Sequence, residues 1–282
     1  QGSKQLNIQG EEFGGVLDQL TFLSKVRRKE ETILGHEVAI IGGGNSAVDA
    51  ARTANRLVGT DGNVTVIYRR TVKEMPADKE EIDALLAEGI NLLELTAPQK
   101  IDKANDKLEF HLTKMALGEP EESGRRRPIE IPNSEFTMSF DSIIPAIGQE
   151  VQLDFLESGK LNYNEITFET ELENVFAGGD AIRGADSLIN AIGDGKKIAL
   201  EIIKRTNSPK VGTYEKSMKP SLAEFQNNQA KRVYGKSMPE ISLSTRNNFE
   251  LVHPSLSKEE AIEEASRCLL CDDVCNICVG VC

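Results

Sequence analysis

The run Val38-Ala39-Ile40-Ile41-Gly42-Gly43-Gly44-Asn45-Ser46-Ala47 constrains this chain more than any other stretch, because an apolar strand, a glycine turn and a helical pattern follow one another in it without a spare residue. Four consecutive apolar residues bounded by glycine read as a buried strand, and the small periodic residues that follow read as a helix over 45–57. The turn has the form G-x-G-x-x-A. Gly42 permits the tight turn, Gly44 lets a pyrophosphate approach the backbone, and Ala47 keeps the helix close to the strand. Free N–H groups and a partial positive charge at the helix start then favour phosphate. The alternative is a glycine turn with a structural role only.

The pattern continues with a strand over 63–68, a helix over 77–88 and a strand over 91–95, an alternation that implies a parallel sheet covered by helices. The end of the second strand faces the adenine ribose of a bound dinucleotide, where an acid suits a 2'-hydroxyl and arginine suits a 2'-phosphate. Here Arg69 and Arg70 stand, with Lys73 close behind, so NADPH is favoured over NADH; a pair of solvated arginines is the alternative. From residue 107 to 146, apolar and polar residues alternate around Gly118, Pro120 and Gly124, which predicts an antiparallel meander ending in a buried strand over 141–146. The basic run Arg125, Arg126, Arg127 reads as a solvated hairpin tip.

A second nucleotide-type signal is Val175-Phe176-Ala177-Gly178-Gly179-Asp180, a short strand over 174–177 followed by a helix over about 187–204. An Asp in this place can accept hydrogen bonds from flavin ribityl hydroxyls while the helix aims its N-terminus at the ring. An ordinary turn aspartate is the other reading. Beyond residue 207, Pro209, Pro220, Pro239 and Pro254 punctuate a polar linker, in which Ser257 caps a short helix.

All five cysteines are gathered at Cys268, Cys271, Cys275, Cys278 and Cys282, whereas a disulfide framework would spread them along the chain. Thiolates at this spacing suit a [4Fe-4S] cluster, with a fifth thiol for a neighbouring cluster; a zinc knuckle, free thiols or a redox disulfide stay open. The formal charge of -12 argues against nucleic acid and anionic membrane as partners. No apolar run approaches the roughly 20 residues of a membrane span, and the polar start is unlike a signal peptide, so a cytoplasmic location is expected. A chain that begins on Gln1 and stops on Cys282 reads as part of a longer protein.

Together, the glycine turn through Arg52, the strand ending Tyr68-Arg69-Arg70, Glu74-Met75-Pro76-Ala77, Ala146-Ile147-Gly148 and Phe176-Ala177-Gly178-Gly179-Asp180 resemble the small (beta) subunit of NADPH-dependent glutamate synthase and its relatives, over roughly residues 9–204. Ala265-Ser266-Arg267-Cys268-Leu269-Leu270-Cys271 resembles the cluster-binding segment of that family, in a position more like the selenate reductase iron-sulfur subunits. The resemblance implies that Gly42, Gly43, Gly44, Asn45 and Ser46 contact the NADPH pyrophosphate and that Arg69 and Arg70 contact its 2'-phosphate. It also places Gly179 and Asp180 at the FAD ribityl chain, with Ser187 and Leu188 near the flavin ring. Such proteins carry another G-x-G-x-x-G ahead of this segment; it is absent here, so FAD is assigned to the intact protein.

The expected architecture is an α/β, Rossmann-like NAD(P)-binding domain with a parallel sheet and an antiparallel meander, packed on a partial FAD-binding domain, with a cysteine-rich segment at the end. The boundaries read as a connector over 1–34, the NADPH domain over 35–140, the flavin part over 141–207, a linker over 208–265 and the cluster segment over 266–282. The implied function is passage of electrons from NADPH through FAD to iron-sulfur centres and an electron-accepting subunit or domain. Hydride transfer needs alignment and no acid, base or nucleophile from the protein, so no catalytic residue is assigned. Two rivals are a disulfide reductase of the thioredoxin reductase kind, whose C-x-x-C would fall within residues 35–146 where there is no cysteine, and a non-catalytic nucleotide-binding or assembly module.

Overall fold

The computed structural model describes residues 2–121, 124–153, 161–206, 221, 223, 226–227, 230 and 234–267. They divide into two compact units, one of Gln1–Gln152 with Ser242–Glu250, the other of Leu153–Ile241 with Leu251–Cys282.

The first unit runs β1 (Gly2–Ser3), α1 (Gln19–Arg27), β2 (Glu37–Ile41), α2 (Asn45–Val58), β3 (Asn63–Ile67), α3 (Lys79–Ala87), β4 (Asn91–Leu93), β5 (Thr96–Ala104), β6 (Lys107–Pro120), β7 (Arg126–Glu130), β8 (Phe136–Phe140), β9 (Ser142–Pro145) and β10 (Gln149–Glu150). Its parallel sheet has the order β4-β3-β2-β9, with Ile40 opposite Val66 on one side and Ile144 on the other. One face packs on helices: α2 buries Ala47, Val48, Ala50, Ala51 and Ala54, a helical stripe of small side chains that brings its axis close to the strands. The other face, with Ala39, Ile41, Ile67 and Ile143, packs on Ile101, Leu108, Phe110, Leu112 and Phe140 of the antiparallel sheet. Strands covered on both faces favour apolar runs, as in residues 38–41 of β2 and 143–144 of β9, with the buried Thr65 as the polar interruption in β3.

The meander differs from expectation at its end. Strand β6 sits at its centre, paired with β5, β8 and, beyond Met115, β7. The final strand leaves it, and Ser142–Pro145 joins the parallel sheet beside β2. Asp141 makes the switch, its carboxylate accepting the backbone N–H groups of His36 and Glu37 at 2.9 and 2.8 Å. Residues 141–152, read from the sequence as the start of the flavin-side segment, therefore lie in the first unit.

In the second unit the strand expected over 174–177 is reduced to single bridges, Tyr163 with Thr170 and Glu169 with Phe176, because turns on either side of Glu169 and Thr170 leave no length for a ladder. Then come α4 (Asp180–Arg183), α5 (Leu188–Thr206) and α6 (Lys258–Ser266). Ser257 caps α6 in a box with Glu260, as its sequence predicts.

Candidate functional site

The three glycines between β2 and α2 are there for three different reasons. Gly42 has φ +143°, and a Cβ on it would lie 2.2 Å from the Ala146 carbonyl oxygen, so both conformation and space exclude a side chain. A Cβ on Gly43 would lie 2.6 Å from the Tyr68 ring, which is itself fixed by its hydroxyl donating to the Glu74 carbonyl at 2.8 Å. Gly44 is the N-cap of α2 in an ordinary extended conformation, and a Cβ there meets nothing nearer than Pro76 Cγ at 4.0 Å. The protein leaves the space beside Gly44 open. Asn45 is committed elsewhere: it exchanges hydrogen bonds with Asp78, the N-cap of α3, at 2.8 and 3.0 Å.

A cavity of about 660 Å³ opens at the carboxyl ends of β2, β3 and β9. Gly42, Gly43, Gly44 and Ser46 form one wall, and Arg69, Arg70 and Arg125 are among the residues of another. The cations of its lining are Lys4, Arg69, Arg70 and Arg125, and among the described residues no carboxylate lines it. In a chain of net charge -12, such a cavity concentrates positive potential in one place.

Arg69 and Arg70, alike in sequence, are placed differently. Arg69 is exposed, and among the described residues it makes no ion pair or hydrogen bond. Arg70 is only 3% exposed; its Nε donates to the Arg126 carbonyl at 2.6 Å and its Nη2 to Glu121 at 2.8 Å. Lys73 lies exposed on the following 3-10 turn, outside the lining. Reasoning from sequence did not assign Arg125 to this cavity, because nothing local tells that a distant hairpin tip returns to the end of β3.

In the second unit, Gly178, Gly179, Asp180 and Leu188 line a separate cavity of about 510 Å³. Ser187 caps the start of α5, its Oγ accepting from Asn190 N at 3.3 Å. Asp194, from the Gly193-Asp194-Gly195 run and 2% exposed, holds this turn: it accepts from Gly179 N at 3.0 Å and from Arg183 Nε and Nη2 at 2.8 Å each. The Arg183 hydrogen bonds outweigh burial and, with the Gly179 N–H, hold the Asp194 carboxyl at about 2. A depressed folded value stabilises the unit above the ordinary carboxylate value of 3.8, and that contribution is lost as pH falls through about 2. Denaturant titrations should therefore show Asp194→Asn less stable than the parent at pH 5, with the gap closing between about pH 4 and 2. A gap that is constant across that range would mean that the carboxylate charge is not what holds the turn.

Among the described residues no cluster of His, Cys, Asp and Glu could hold a metal ion, and no helix is long and apolar enough to cross a membrane. Cys268, Cys271, Cys275, Cys278 and Cys282 lie outside the described residues.

Parallel strands, a glycine turn at a helix start and a cationic cavity at the strands' carboxyl ends define a dinucleotide-binding α/β domain. Residues 1–195 match the pyridine nucleotide-disulphide oxidoreductase family, and the chain belongs to it. It is 33% identical over 297 residues to the NADP(+)-dependent formate dehydrogenase subunit beta of Moorella thermoacetica, a match covering 95% of this chain and 41% of that one. It is 32% identical over 176 residues to the glutamate synthase (NADPH) small chain of Halomonas elongata, covering 58% of this chain and 37% of the relative. The resemblance to the glutamate synthase small subunit and its relatives, read from the motifs, is thus borne out. The chain spans about two fifths of the length of the formate dehydrogenase subunit. Among solved structures, Mycobacterium tuberculosis FprA in complex with NADPH aligns with a TM-score of 0.54 at 17% identity, over 74% of this chain and 62% of that one, a likeness of fold.

Proposed function

We propose that the chain is the NADPH-binding part of a flavin- and iron-sulfur-dependent oxidoreductase subunit that delivers electrons to a partner subunit or domain. The observation that carries this is the first unit's cavity, lined by the open Gly44 and, among the described residues, by cations without a carboxylate. A dinucleotide lies across that opening with its pyrophosphate at the start of α2 and its adenine ribose at the end of β3. Arg69 is then the cation for a 2'-phosphate, being exposed and unengaged among the described residues, and Ser46 and the N–H groups of the first turn of α2 bind the pyrophosphate. The names of the two relatives, each an NADP-linked oxidoreductase subunit, point the same way.

The residues about Gly179 and Asp180 fit one half of a flavin site. The cavity there is bounded by the start of α5, where Leu188, Ile189 and Ile192 are exposed as an apolar surface that a flavin ring and the rest of its domain would cover. FAD, when bound, supplies the conversion of a two-electron donor to one-electron transfer. The five clustered thiols fit a [4Fe-4S] cluster by their spacing, and thiolate chemistry of this kind belongs in a reducing compartment, hence the cytoplasm. A disulfide reductase of the thioredoxin reductase kind is disfavoured, since its C-x-x-C would fall within residues 35–146, which contain no cysteine.

Calorimetry of the full chain with NADPH and NADH tests the reading. The parent should prefer NADPH, and Arg69→Ala should reduce NADPH affinity about 10- to 30-fold while moving NADH little. Arg69 is changed alone because removing Arg70 would also unseat the hairpin. Equal affinities for the two nucleotides in the parent would remove the NADPH assignment.

A further inference from the structure

We propose that Lys4 is a specificity-determining residue for the oxidation state of the nucleotide: its ammonium faces the nicotinamide half and disfavours the oxidised, positively charged ring. This deepens the NADPH reading above and rests on its placement of the dinucleotide across the strand ends. In the order β4-β3-β2-β9, β3 lies on one side of β2 and β9 on the other. With the pyrophosphate at the start of α2 and the adenosine at the end of β3, the nicotinamide half is left with the β9 side, where Ala146, Ile147 and Gly148 line the cavity. The arginines of the lining belong to the opposite side: Arg69 and Arg70 follow β3 directly, and Arg125 adjoins Arg126, whose carbonyl accepts from Arg70. Among the described residues, Lys4 is the cation of the β9 side.

The N-terminal strand delivers it there. β1 pairs antiparallel with β10, Ser3 opposite Gln149 and Gly2 opposite Glu150, and Lys4 N donates to the Gly148 carbonyl at 3.0 Å. The side chain follows the backbone. A Cβ on Gly148 would lie 3.9 Å from Lys4 Cδ, an ordinary contact distance, so the aliphatic stem runs along the turn that lines the cavity and carries the ammonium with it. Lys4 is exposed, and among the described residues its ammonium makes no ion pair or hydrogen bond. Glu150, the acid of the adjoining strand, is exposed and outside the lining. NADPH and NADP+ share every anionic group and differ by one unit of charge on the ring, since loss of a hydride with its electron pair leaves a neutral ring positive. A cation at the pyrophosphate or the 2'-phosphate attracts both forms alike; a cation beside the ring repels only the oxidised one. With near-aqueous screening, like unit charges about 6 Å apart weaken binding about three- to fivefold. Lys4 thus favours entry of the electron donor and release of the spent nucleotide.

The test is calorimetry of the full chain with NADPH and NADP+ at fixed, low ionic strength, reading the ratio of the two affinities. Lys4→Gln should lower the NADPH-to-NADP+ ratio about three- to fivefold, chiefly by tightening NADP+, and Lys4→Arg should keep it. Adenosine 2',5'-bisphosphate, which occupies the adenosine half alone, should bind parent and Lys4→Gln equally. Raising the salt should shrink the difference between the two proteins, because the ammonium is exposed. A Lys4→Gln chain that loses affinity for NADPH and NADP+ by the same factor would make Lys4 a phosphate cation or a structural residue and overturn the proposal, as would a ratio equal to that of the parent. Those outcomes leave the NADPH reading standing if the parent prefers NADPH to NADH and Arg69→Ala loses that preference. A parent that does not distinguish NADPH from NADH removes that reading, and the ratio of NADH to NAD+ in parent and Lys4→Gln then decides the role of Lys4 by the same charge difference.

Discussion

Gly44→Ala should leave the stability of the chain within about 1 kcal/mol of the parent and reduce NADPH affinity about 100-fold. The free protein has room for the methyl group, since the nearest atom to a Cβ is 4.0 Å away and the backbone is at φ -90°, ψ 173°. If a pyrophosphate comes within contact of that backbone, the same methyl group occupies its place. Gly42→Ala should fail for a different reason and at an earlier stage: with φ +143° and the Ala146 carbonyl oxygen 2.2 Å from the added carbon, folding itself is penalised by several kcal/mol. Thermal unfolding and calorimetry on the two variants separate the roles. A Gly44→Ala chain that binds NADPH within twofold of the parent would show that the nucleotide does not cross α2 at its first turn.

The second large effect is expected at Glu88, which caps α3. Its side chain is 4% exposed and accepts from Arg52 Nε and Nη2, the latter at 2.7 Å, and from Arg56 Nη2 at 3.3 Å; Arg52 also reaches Glu81 at 2.7 Å. The hydrogen bonds that Arg52 donates to Glu88 outweigh its desolvation and hold its guanidinium firmly charged. Glu88→Ala would leave two largely buried guanidinium groups facing a void, and should cost about 3 kcal/mol, or roughly 6–12 °C in the midpoint of the first unit. Glu88→Gln keeps an acceptor and should cost about half as much. Two variants indistinguishable from the parent in thermal unfolding would mean that the network is solvated and contributes nothing to the packing of α2 on α3.

Much of the site could be read before any coordinates. The strand-glycine-helix unit was legible because each of its signals is local: the apolar run, the glycine spacing and the alanine stripe of α2 lie within about twenty residues. So was the capping of α6 by Ser257, which depends on a carboxylate three residues away. The short strand over 174–177 was over-read, because apolar residues bounded by turns look alike whether they form a ladder or one bridge. The place of Arg125 in the cavity lining was illegible for the opposite reason: the basic run has the composition of a solvated tip, and only the chain's return toward β3 brings Arg125 into the lining.

The sequence by itself determined that the chain holds a dinucleotide-binding turn, that a cation follows the second strand, and that its thiols are gathered in one segment. Those are properties of neighbouring residues, set by conformational preference and chemistry. Tertiary structure decided which of two adjacent arginines stays exposed beside the cavity and which is bound under a hairpin. It also decided that Ser142–Pro145 pairs with β2 rather than with the meander it follows. The physical reason is common to both: Arg70 and Glu121 are 51 residues apart and Val38 and Ser142 more than 100, and contacts at such separations are chosen by burial and charge pairing over the whole fold, which local patterns do not encode.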